Sequence, residues 1–184
     1  MNTKITPSCS DEESPERVSL TMDQVLLEIA QLFNQNGLRW AVGASLVLKR
    51  HKLVPEAHDI DLLIDESHIA SAVKLLDQRG MRLPIPESVM SDSVSKYFYK
   101  YQYKGVDLDL MAGFTIRHSE GVYWFTFDNE SVGSCDTVNG IQIFYTTLED
   151  WMIAYSLMDG REKKAELVYG YLISEGVRFP NLVN

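Results

Sequence analysis

The stretch that decides the fold is His58-Asp59-Ile60-Asp61-Leu62-Leu63-Ile64-Asp65. Side chains two apart on a strand point the same way. Asp59 and Asp61 therefore leave one face, while Ile60, Leu62 and Ile64 leave the other. The pattern predicts a strand with an apolar face on the core and two carboxylates opposite. It recurs at residues 106–110, where Asp107 and Asp109 alternate with Val106, Leu108 and Leu110. Carboxylates brought together repel, and one is driven to take up a proton unless a cation intervenes. A divalent metal is the simplest such cation. This reading requires that the acids face one another and are not already neutralised by arginine or lysine. His58, just before the pair, is left outside the expected metal shell.

Upstream, residues 38–42 form a short apolar strand that runs into Gly43-Ala44-Ser45 and then a helical segment, residues 46–52. Two readings stay open for this junction. It is either a plain turn with a cap or an anion site, in which Gly43 admits a ligand to the backbone and Ser45 adds a hydroxyl. The basic run Lys49-Arg50-His51-Lys52 reads as a solvated last helical turn. Further upstream, residues 1–17 read as a polar tail. Thr21 and Gln24 fit a capping box ahead of an amphipathic helix that stops at Asn36-Gly37.

Downstream, residues 67–78 predict a covering helix, and residues 82–89, with two prolines, a strand fragment and a loop. Residues 97–104 alternate with four tyrosines on one face. Lys104-Gly105 then makes a tight reversal, so a hairpin is expected into residues 106–111. The tyrosine face either covers the core or stacks a base. Residues 122–125 suggest a strand, 128–130 a turn and 141–145 a last strand. Thr147 opens a helix that breaks at Asp159-Gly160, and Arg161 leads the final one.

The chain has 184 residues, 45% of them hydrophobic, enough for one domain with a real core. No apolar run is long enough to span a bilayer, and the N-terminus does not read as a signal peptide. With only Cys9 and Cys135, no disulfide framework is indicated, and a reducing cytoplasm is the default. The net charge of −9 disfavours long nucleic acid as a partner but suits a nucleotide that carries its own Mg²⁺.

Gly43-Ala44-Ser45 after a strand, Asp59-x-Asp61 on the next, and an acid pair on a later strand resemble the polymerase-β-like nucleotidyltransferase superfamily. The likeness is to its small bacterial members, such as lincosamide and aminoglycoside nucleotidyltransferases and those of abortive-infection toxin systems. It covers residues 38–111 and extends loosely to residues 147–172. The resemblance implies an α+β fold with a mixed, largely antiparallel sheet, helices packed on one face, and a C-terminal helical pair. It divides the chain into a tail at 1–17, a nucleotidyltransferase domain at 18–146 and C-terminal helices at 147–184.

It further implies that Gly43, Ala44 and Ser45 hold the triphosphate of an NTP such as ATP. Asp59 and Asp61 would bind two Mg²⁺ ions, and a third carboxylate would complete the second ion site and help deprotonate a hydroxyl acceptor. Asp107 and Asp109 both point the right way, with Asp107 favoured as the metal ligand. Lys163 or Lys164 would reach phosphate, although the Lys-Asp often found there in the family is absent. The implied activity is metal-dependent transfer of a nucleoside monophosphate to a hydroxyl, with pyrophosphate released. The alternative is a non-catalytic partner or antitoxin-like regulatory protein that retains the fold.

Overall fold

A computed structural model describes residues 20–86 and 95–177. The tail read at residues 1–17, the end of the loop read at 82–89, and the last residues of the C-terminal segment lie outside the described residues. In chain order the elements are α1 (Met22–Gln35), β1 (Trp40–Val42), α2 (Ala44–Arg50), β2 (Ile60–Ile64), α3 (Ile69–Asp77), β3 (Met81–Leu83), β4 (Tyr97–Tyr103) and β5 (Val106–Ala112). There follow β6 (Thr115–His118), β7 (Gly121–Trp124), β8 (Val132–Val138), β9 (Ile141–Thr146), α4 (Leu148–Leu157) and α5 (Glu162–Ser174).

Seven strands form one sheet in the order β3-β4-β5-β2-β1-β9-β8, while β6 and β7 make a separate hairpin. Neighbours in the sheet are antiparallel except β2–β5 and β1–β9. The fold is thus α+β with a mostly antiparallel open sheet, as expected. No described helix is long and apolar enough to cross a membrane.

The capping box at Thr21 forms as read: its hydroxyl accepts from the Gln24 amide, and the Gln24 side chain accepts from the Thr21 amide. Helix α2 begins at Ala44, two residues earlier than the sequence suggests. Strand β8 was not legible. It is a polar strand that, among the described residues, pairs only with β9, and all its residues are half-exposed or exposed, so it carries little apolar pattern.

The hairpin β4–β5 turns on Lys104 and Gly105, both with positive φ (50° and 89°), the backbone of a two-residue reversal. That turn fixes the register: Tyr103 faces Val106, Tyr101 faces Leu108, and Lys100 faces Asp109. Strand β5 in turn pairs with β2 so that Leu108 faces Ile60 and Asp109 faces Asp61.

Two faces follow. Tyr101, Leu108 and Ile60 are fully buried in the core. The tyrosine hydroxyls reach the helices, Tyr101 donating to Asp77 on α3 (2.8 Å) and Tyr103 to Glu28 on α1 (3.1 Å). The tyrosine face therefore covers the core beneath α1 and α3. Lys100, Asp109 and Asp61 form one rung across three strands on the opposite face. Helix α4 is tied to the sheet on β1 and β9: Trp151 Nε1 donates to Thr146 Oγ1 (2.7 Å), whose hydroxyl donates to the Val42 carbonyl (3.0 Å).

Candidate active site

The rung Lys100–Asp109–Asp61 opens into a cleft of about 540 Å³, within the usual range for small-molecule sites. Asp59, Asp61 and Asp109 line it, each offering a carboxylate oxygen within 4.8 Å of the others. Asp59 is the residue before β2 begins, and Asp61 is the second residue of that strand. The paired strands β2 and β5 thus hold the three acids together.

Their electrostatics show charge that is only partly cancelled. Burial, reinforced by Asp59 and Asp109, pushes the Asp61 carboxyl up to about 8, against only partial relief from Lys100 and Lys164. Burial also pushes Asp109 up, opposed by its hydrogen bond from Lys100. Oxygen donors that converge and repel in this way suit a hard divalent cation such as Mg²⁺ or Mn²⁺.

The expected acids do not all join. Asp107, favoured from the sequence as the third ligand, is exposed and lies one rung away, opposite Gln102 near the hairpin turn. Asp109, 9% exposed, is the carboxylate brought to the pair. The requirement that the acids be free of basic partners holds for Asp59 and Asp61 among the described residues. It does not hold for Asp109, whose Oδ1 accepts a hydrogen bond from the Lys100 ammonium. Sequence reasoning passed over Lys100 because it alternates with the more conspicuous tyrosines. The two-residue turn at Lys104-Gly105 was the signal that places it opposite Asp109.

Ala44 and Ser45 also line the cleft, and the Gly43 amide just before them donates to the Asp61 carbonyl (2.9 Å). Lys164 Nζ, on α5, donates to Ser45 Oγ (3.1 Å) and lies 5.1 Å from the centre of the Tyr155 ring. Burial, then nearby Arg161, lowers the Lys164 pKa, while Asp61 and Asp59 pull the other way. Lys163 is exposed and does not line the cleft. Gly43 does not line it either. A Cβ there would come within 2.5 Å of Trp151 Cζ2 and 2.6 Å of Leu63 Cδ1. Close packing against α4 is therefore the reason this structure gives for glycine at 43. Ala44 makes the turn into α2 with φ 48°, a left-handed conformation uncommon for alanine.

Phe98, Met111, Phe114, Ile116 and Trp151 give the cleft an apolar wall, and Arg161 and His58 add polar groups. None of these was singled out from the sequence as lining a site. A larger cavity, about 850 Å³, lies between β7, the start of α4 and α5, and contains none of the three acids. The three acids all line the smaller cleft.

No protein-family model matches the sequence, and no curated protein matches it either. Solved structures do resemble it. A candidate nucleotidyltransferase from Thermotoga maritima is 22% identical, with 86% of this chain and 99% of that one covered and a TM-score of 0.58. ANT(2″)-Ia, solved with adenylyl-2″-tobramycin, is 12% identical over 85% of this chain and 92% of its own, with a TM-score of 0.56. The lincosamide antibiotic adenylyltransferase LnuA, solved with lincomycin, is 14% identical over 82% and 98%, with a TM-score of 0.53. At these identities the likeness is one of architecture, and it is consistent: this chain has the nucleotidyltransferase fold.

Proposed function

We propose that this protein is a divalent-metal-dependent nucleotidyltransferase that moves a nucleoside monophosphate from an NTP to the hydroxyl of an acceptor. The observation that carries the proposal is the convergence of Asp59, Asp61 and Asp109 in a cleft that Ser45 and Lys164 also line. Acids beside a hydroxyl and an ammonium suit a metal–triphosphate, which presents a cation to the first set and anionic oxygens to the second.

Phosphoryl transfer gains mostly from positioning and charge neutralisation. A divalent ion held by Asp59 and Asp61 would supply the neutralisation. Ser45 and Lys164 orient the polyphosphate. The acceptor oxygen bonds to the α-phosphorus as the bond from that phosphorus to the bridging oxygen of the β-phosphate breaks, and pyrophosphate leaves. Asp109 would receive the hydroxyl proton. The apolar wall of Phe98, Phe114 and Trp151 excludes water and favours an acceptor with hydrocarbon surface. A small molecule is the acceptor class we favour, in line with the antibiotic-derived ligands in the structures of ANT(2″)-Ia and LnuA and with this chain's acidic balance.

One observation favours a second reading. The ion pair between Lys100 and Asp109 neutralises the third acid, as a non-catalytic protein that retained the fold could afford to do. Turnover separates the two. The protein is incubated with each α-labelled NTP, Mg²⁺ and a panel of hydroxylated acceptors that includes aminoglycosides and lincosamides. Label should move to an acceptor, and Asp59→Asn and Asp61→Asn should each abolish the transfer. Transfer that survives both substitutions would sink the proposal.

A further inference from the structure

The Lys100 ammonium is built into the acidic rung. Its place is set by backbone register, because the hairpin turn fixes Lys100 opposite Asp109 and β5 fixes Asp109 opposite Asp61. Its side chain is only 19% exposed, that of Asp109 13%, so the pair is largely withdrawn from water. The ammonium also lies 5.8 Å from the centre of the Phe98 ring, which lines the same cleft. The field of this cation reaches beyond Asp109, since it also opposes the upward push on Asp61.

An ammonium in this position competes with a metal ion. It has taken a lone pair of Asp109 Oδ1, and a divalent ion on the same carboxylate would stand close to a like charge that register holds in place.

We infer that Lys100 stands in for one of the two metal ions expected of such a site. Asp59 and Asp61 hold a single divalent ion, and the Lys100 ammonium on Asp109 supplies the second positive centre. This rests on the proposed metal site above, but goes beyond it in the number of ions and in the residue that replaces one. Met in place of Lys100 would keep the aliphatic stem beside Phe98 and remove the charge. Arg would keep the charge.

The test counts ions. Bound Mn²⁺ is measured by equilibrium dialysis and by the electron paramagnetic resonance signal of free Mn²⁺, with the full chain and the metal alone. Wild type should bind one ion per chain, Lys100→Arg one, and Lys100→Met two. Two ions on wild type would overturn the inference while leaving the metal site and the nucleotidyltransferase reading intact, as would equal counts for wild type and Lys100→Met. No ion on wild type would remove both. If Lys100→Met fails to fold, the wild-type count decides alone: one ion supports the inference and two overturn it.

Discussion

Removing the charge of Asp61 should stabilise the metal-free protein, and do so more as pH rises. The folded-state carboxyl is pushed up to about 8 from an ordinary 3.8. Between those values the folded state binds a proton that the unfolded chain has lost, so stability falls as pH climbs through the window. At about 1.4 kcal/mol per pH unit, the full window is worth about 6 kcal/mol. Relaxation and water entry leave about 1–3 kcal/mol of that as a realistic gain for Asp61→Asn at pH 8. The asparagine keeps the shape, and its amide can donate to the neighbouring carboxylates. For a chain of this size each kcal/mol shifts Tm by about 2–4 °C. Melts of wild type and variant in EDTA should therefore differ by several degrees at pH 8 and by much less at pH 5. Adding Mg²⁺ at pH 8 should raise the wild-type Tm and narrow the gap, because the ion binds only the folded acid cluster. A variant that melts lower than wild type at pH 8, or by the same margin at every pH, would refute the claim that Asp61 is held against uncompensated charge.

Two further substitutions probe the surroundings of the acids. Gly43→Ala should destabilise by about 1–3 kcal/mol in urea unfolding, since its Cβ would collide with Trp151 and Leu63 and force α4 away from the sheet. Lys164→Met should leave the melting temperature within a few degrees of wild type. It should weaken metal–NTP affinity by about tenfold or more, the scale of a lost charge-assisted bond to phosphate, as read by calorimetry.

Much of the site was legible because one local rule acts on it, the alternation of side chains along a strand. Alternation at residues 58–65 put Asp59 and Asp61 on one face and the core residues on the other, and the structure keeps that division. The choice between Asp107 and Asp109 was not legible, because both share a face and differ only in distance from the hairpin turn. Which rung meets the Asp59–Asp61 pair is a matter of parallel register between β5 and β2, separated by β3 and β4 in sequence. Periodicity carries no information about register across such a gap. Lys100, by contrast, could have been found. A two-residue turn at Lys104-Gly105 dictates its partner, once the face opposite the tyrosines is considered. Gly43 shows the reverse case. Glycine before a helix left a plain turn and the approach of a ligand both open, and the structure adds close approach of Trp151, a residue more than a hundred positions away whose packing no local pattern announces.

The claim on which the account depends is that Asp59 and Asp61 hold a divalent ion through which an NTP binds. Calorimetric titration of NTP into the protein, with Mg²⁺ and then with EDTA, tests it most directly. The account predicts binding only with Mg²⁺, weakened at least tenfold by Asp59→Asn and by Asp61→Asn. NTP binding that is equally tight in EDTA, or unchanged in both variants, would contradict it.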